Sequence, residues 1–131
     1  MHLTKRYFTC ISFTLIFSQT VLAEDWPQFR GPTGQGHSAV RNLPLTWSDD
    51  SDNIAWKAPI DGLGWSSPVT VGDRIWLTTS TDDGLVFLAI CLDLKSGERI
   101  HSVEVFRREA ALGIHGKNSH ASPTPFLIDG K

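Results

Sequence analysis

From Asn53 onward the chain consists of short runs of β-forming residues, each cut off by a turn signal. This feature constrains the fold most, because a helix needs an apolar period of about 3.6 over roughly ten or more positions, and no such stretch survives the breaks. Ile54 to Ile60 reads as a strand closed by Pro59 and Asp61-Gly62, and Ser67 to Val71 as a short strand closed by Gly72-Asp73. Arg74 to Thr79 follows, and Ser80-Thr81-Asp82-Asp83-Gly84 turns it. Leu85 to Asp93 is almost wholly apolar and turns at Lys95-Ser96-Gly97. Glu98 to Phe106 sets Ile100, Val103, Val105 and Phe106 against Glu98, His101 and Glu104. Ser119 to Ile128 reads as a further strand, and Arg107 to Leu112 as at most one helical turn ended by Gly113. The expectation is an all-β meander of antiparallel strands.

Ahead of these strands lie two different segments. Lys5 and Arg6 precede an uncharged, mostly apolar stretch from Tyr7 to Phe17, and Val21-Leu22-Ala23 offers a signal-peptidase site. The stretch is shorter than the roughly 20 residues of a transmembrane helix. Residues 1–23 therefore read as a signal peptide cleaved after Ala23, with an uncleaved anchor as the alternative. Cys10 has no lipobox beside it. The mature chain is expected to be exported, periplasmic or extracellular, without a stable membrane span. Residues 24–52 are broken by Trp26-Pro27, Gly31-Pro32, Gly34, Gly36 and Leu43-Pro44 and read as irregular.

Charge and cysteine content narrow the function classes. A net charge of −2 supplies no electrostatic attraction for nucleic acid. After signal cleavage Cys91 is the one remaining cysteine, set in an apolar run, so a buried, inert thiol is expected in place of a disulfide framework. The tryptophans at 26, 47, 56, 65 and 76 are more large rings than a domain of this size readily buries.

The strand text also repeats. Pro68-Val69-Thr70-Val71-Gly72-Asp73-Arg74 and Pro125-Phe126-Leu127-Ile128-Asp129-Gly130-Lys131 share one pattern without a gap: proline, apolar, any, apolar, a Gly/Asp turn, a base. The offset, 57 residues, exceeds the ~40–50 of typical propeller blades by about the length of the loop from Arg107 to Asn118. Four expected strands separate the copies, which is the content of one blade.

Pro68-Val69, Gly72-Asp73-Arg74-Ile75-Trp76-Leu77 and Leu92-Asp93-Leu94-Lys95-Ser96-Gly97-Glu98 together resemble the repeat of the pyrroloquinoline-quinone (PQQ)-like β-propellers. Asp25-Trp26-Pro27-Gln28-Phe29-Arg30-Gly31-Pro32 is similar to the opening of exported members of that group, and Asn118 to Pro125 to the start of their next blade. The resemblance implies antiparallel four-stranded blades of a PQQ-like β-propeller, incomplete in this chain: residues 53–131 would hold one blade and parts of two neighbours, an N-terminal fragment of the ring. It also implies that Ile54-Ala55-Trp56-Lys57 is the outer strand of the closing blade. Where the family repeat ends on a docking tryptophan, this chain has Val103 and Phe106.

The resemblance implies an exported, non-catalytic binding or assembly scaffold whose protein or small-molecule partner is unknown. The alternative is a PQQ-dependent quinoprotein oxidoreductase with an active site largely outside this segment. PQQ and calcium would be cofactors only in that case, and the adjacent cysteine pair and calcium-binding carboxylates of the true dehydrogenases have no counterpart here. A third possibility is carbohydrate binding or processing on the propeller face. Trp65 beside Gly64 is a candidate stacking surface for a planar quinone or a sugar, with blade packing as the plainer role. Ser66, Ser67 and Ser122 lack a base or oxyanion signature and read as channel-side residues; Ser67 and His120 join Trp65 as cofactor-binding candidates. His115 and His120, with His101 upstream, are the candidate metal ligands, but no third donor has fixed spacing. Asp49 to Asn53 lacks an EF-hand register, and Gly31, Gly34 and Gly36 lack the flanking strand and helix of a phosphate loop.

Overall fold

The computed structural model describes residues 24–128. It contains one open sheet of four strands, β1 (Val69–Val71), β2 (Arg74–Ser80), β3 (Val86–Asp93) and β4 (Arg99–Arg107), and no helix among the described residues. The spatial order is β1-β2-β3-β4, antiparallel throughout. The meander expected from the turn signals is therefore present, with strand ends within a residue or two of the sequence reading. The signal-peptide assignment falls outside the described residues, as do the last three positions of the second repeat copy.

The turns follow from local chemistry. Gly72-Asp73 joins the paired residues Val71 and Arg74, and Gly72 adopts φ 59°. In the turn after β3, Asp93 Oδ1 accepts the N–H groups of Lys95 and Ser96, both at 2.9 Å, while Gly97 supplies φ 72°. In the turn after β2, Asp83 takes the Thr81 hydroxyl and the Leu85 N–H.

Two irregularities explain why β4 does not alternate cleanly. Register shifts between Phe87 and Leu88 and between Cys91 and Leu92 leave Val105 and Ile100 without partners on β3. Each bulge inserts one residue into β4 and resets its period of two. Val103 and Phe106, three apart in sequence, thus face the same side, opposite Ala89 and Phe87.

One face of the sheet carries the core. Ile75, Ile90 and Leu92 are buried, and Trp56, Ala58, Ile60, Leu77, Leu88 and Leu94 pack around them. Cross-strand pairing of Ile75 with Leu92 and of Leu77 with Ile90 brings these side chains together. On the opposite face Cys91 is fully buried, flanked on its neighbouring strands by Trp76 and His101, whose rings stack at 6.3 Å. The inert thiol expected from the apolar run is what the structure contains, and burial pushes its pKa up.

Three sequence expectations need correction. Among the described residues Ile54 to Ile60 pairs with no strand. Its alternate residues Ile54, Trp56, Ala58 and Ile60 are half-buried, and Trp56 Nε1 donates to Leu94 O at 3.1 Å. The segment covers the face of the sheet, so its apolar period of two is satisfied by packing and not by a ladder, and Pro59 has no N–H to donate. Ser119 to Ile128 is also not a strand. Pro123 and Pro125 remove two donors, and the segment attaches through isolated bonds. Arg107 to Leu112 forms no helical turn: β4 runs through Arg107, and the Arg108 N–H donates to Leu85 O at 2.8 Å.

Candidate functional site

The candidate residues gather where the arm formed by residues 119–125 crosses the sheet. Short polar side chains hold its start: Asn118 Oδ1 accepts the Ser119 N–H and the Ser122 hydroxyl, and the Ser119 and Ser122 hydroxyls lie 3.1 Å apart. The arm is then fastened at three points. Thr78 Oγ1 donates to Pro123 O at 3.0 Å, the Trp65 N–H to Ala121 O at 3.0 Å, and the Ser67 N–H to Thr124 Oγ1 at 3.0 Å. Ser67 and Thr124 immediately precede the two copies of the repeated pattern, so equivalent positions of the repeat touch.

The N-terminal segment completes the junction. Trp26 and Thr70 exchange backbone bonds of 2.7 and 2.9 Å along the outer edge of β1, and the Leu127 N–H donates to Pro27 O at 3.0 Å. Residues 26–27 thus lie between the first copy of the pattern and the second. Gly31 makes this seat possible, since a Cβ there would come within 2.7 Å of the Trp26 ring.

The sequence-derived candidates have separate fates. Ser67 uses its N–H on Thr124, as above. Trp65 is 59% exposed and offers its ring to solvent. Ser66 Oγ donates to Thr78 O at 3.1 Å and accepts the Thr78 N–H at 3.0 Å, so its hydroxyl is committed to β2. His115 is exposed, with Nδ1 accepting the Lys117 N–H. His101 stacks on Trp76. His120 sits edge-on to Phe87, and a Cβ at Gly84 would lie 2.3 Å from its ring. Its Nδ1 is buried and has no hydrogen-bond partner among the described residues. An unpartnered polar atom of this kind costs desolvation free energy, so the residue invites a functional explanation. No group of three or more His, Cys, Asp or Glu side chains converges among the described residues.

Two clefts compete as sites. The larger, about 410 Å³, is bordered by Asp61, Asp82 and Asp83. Two of its carboxylates have partners elsewhere: Asp61 takes Arg99 at 3.1 Å, and Asp83 holds the turn after β2, its pKa lowered first by the Thr81 hydroxyl and then by the Leu85 N–H. The second is a groove of about 330 Å³ between the arm and the adjoining ends of β3 and β4, lined by Phe87, Val105, Phe106, Arg108, His120 and Pro123 among others. It joins an apolar floor to the Arg108 cation and the His120 ring, and is the stronger candidate.

Sequence reasoning singled out His120 but not Arg108, Phe87 or the groove itself. The signal available was an aromatic near the start of β3, Phe87, and another near the end of β4, Phe106, which an antiparallel hairpin sets opposite each other, with the basic pair Arg107-Arg108 immediately after the second. Comparisons of the chain with family models, with curated proteins and with solved structures found no match.

Proposed function

We propose that this chain supplies one blade, with parts of its neighbours, to an exported PQQ-like β-propeller that acts as a non-catalytic binding or assembly scaffold. The observation that carries the reading is the hydrogen bond between Ser67 and Thr124, 57 residues apart. Blades arranged around a common axis bring the starts of their inner strands together, so repeat-equivalent positions become neighbours. The four-stranded meander and its uncovered outer strand support the same reading. Val103 on β4, outside the groove, is half exposed, apolar surface of the kind a stacked neighbour would bury. The scaffold role is supported by the hydroxyls near the junction, which are engaged in structural bonds and lack a paired base.

The test uses the full-length protein from its natural source, whose mass and N-terminus are read first. Cleavage after Ala23 is the expected processing. Titration with PQQ in the presence and absence of Ca²⁺ then separates the classes. A scaffold gives no calcium-dependent change in quinone absorbance, whereas a saturable, calcium-dependent change would overturn it in favour of a quinoprotein oxidoreductase.

A further inference from the structure

We propose that the groove beside Arg108 binds a small carboxylate carrying an apolar body, with the Arg108 guanidinium as its anion anchor. This inference goes beyond the propeller reading and does not rest on it: the groove is formed by Thr78 and Thr79 of β2, the adjoining ends of β3 and β4, and residues 120–123 of the arm.

Arg108, immediately after β4, differs from the arginines of the sheet. Arg74, Arg99 and Arg107 each face a carboxylate, at distances between 2.6 and 3.6 Å. Among the described residues the Arg108 side chain has neither an ion pair nor a hydrogen bond. Its guanidinium carbon instead lies 4.8 Å from the centroid of Phe87 and 5.8 Å from that of Phe106. Those two rings are themselves packed 5.5 Å apart. The backbone bond from Arg108 N–H to Leu85 O fixes the base of the side chain. A guanidinium resting on aromatic faces keeps its N–H edge free, and that edge matches a carboxylate in two parallel hydrogen bonds. Arg30 also lies near a ring, Phe29, at 5.6 Å, but it is exposed and lines neither of the two clefts.

The groove supplies the rest of the recognition. Its volume of about 330 Å³ is at the lower end of the small-molecule range, which suits one ring or a short chain. Phe87, Phe106, Val105 and Pro123 give apolar surface, and among the described residues no carboxylate lines it to repel an anion. His120 forms another part of the wall. Its ring is wedged over Gly84, where a Cβ would collide with it, so the wall is held in place.

The experiment is a titration of the full chain with 3-phenylpropionate and, in parallel, with the neutral 3-phenylpropan-1-ol, followed by NMR at the ring protons of Phe87, Phe106 and His120. The acid is expected to give saturable shifts at all three residues and to bind at least about tenfold more tightly than the alcohol. Arg108→Gln is expected to weaken the acid by about tenfold to a hundredfold and leave the alcohol unchanged. Equal affinity for acid and alcohol, unchanged acid binding in R108Q, or no saturable shift up to the solubility limit would each overturn the assignment. The acid–alcohol contrast is measured on the unaltered chain, so it decides the matter even where the variant folds poorly.

Discussion

The two long edges of this sheet's apolar content have opposite situations. On the side of β2 and β3, Ile75, Ile90 and Leu92 lie beneath Trp56, Ala58 and Ile60, a lid the chain supplies from its own upstream segment. On β4, every residue except Ile100 is exposed, although Val103, Val105 and Phe106 are as apolar as the residues of the core. Hydropathy is therefore not what separates the two regions. The covered half has a segment long enough to reach it, tied down by the indole bond from Trp56 to Leu94, and β4 has none among the described residues. An open sheet buries only the surface that something else covers.

The strongest way to break this comparison is to truncate one residue on each side. Ile90→Ala should cost about 2–5 kcal/mol, the usual range for a large-to-small change at a buried site, since Ile90 is 2% exposed. Val103→Ala, at a residue 50% exposed, should cost about 0.5 kcal/mol or less. Urea unfolding of both variants measures the difference. Similar losses would mean that β4 is covered in solution by another copy or partner.

A smaller effect separates two turn glycines. A Cβ on Gly97 would come 2.5 Å from the Trp56 ring, whereas one on Gly72 would meet nothing within 4 Å. Both residues have positive φ, so both Ala variants carry about 1–2 kcal/mol of backbone strain. Gly97→Ala should lose about 1–3 kcal/mol more, because it pushes the lid off the core. Equal thermal midpoints for the two variants would show that Trp56 is not seated against this turn.

The smallest effect is electrostatic. The N–H groups of Ser96 and then Lys95 hold the Asp93 carboxyl below the ordinary aspartate range. On β4, the Arg107 guanidinium holds Glu104 below its usual value. A carboxylate with a depressed folded pKa stabilises the fold above its unfolded value, about 4 for either residue, and loses that contribution as pH falls through the folded value. Acid titration of stability should therefore flatten in Asp93→Asn. The effect of Glu104→Gln should be weaker and should fade with added salt, because that pair is solvent-exposed. A salt-sensitive response at Asp93 would show that charge pairing with Arg74, and not the turn's N–H groups, dominates there.

Much of this architecture was legible because its causes are local. The Gly72-Asp73 and Ser96-Gly97 turns, the β-forming runs between them and the buried Cys91 all follow from conformational preference and short-range bonding, which a few neighbouring residues decide. The errors arose where local signals were ambiguous. Ile54 to Ile60 carries the period of two that a strand needs, yet that period also suits a segment lying on a sheet, and nothing in its own residues distinguishes a ladder partner from a face. The β4 pattern was obscured by two bulges, whose positions depend on the register with β3.

The residues alone were enough for the all-β class, for the four strands between Ser67 and Arg107 with their turns, and for the repeat pattern; they named His120 only as one candidate beside Trp65, Ser67 and His115. Only the folded arrangement settled which apolar residues are covered, that Ser67 meets Thr124, and that Arg108 rests on Phe87 and Phe106 in the wall of a groove. The physical reason is separation along the chain. A turn is set by neighbours a few residues away, whereas a groove is set by segments that share no local interaction until the sheet brings them together.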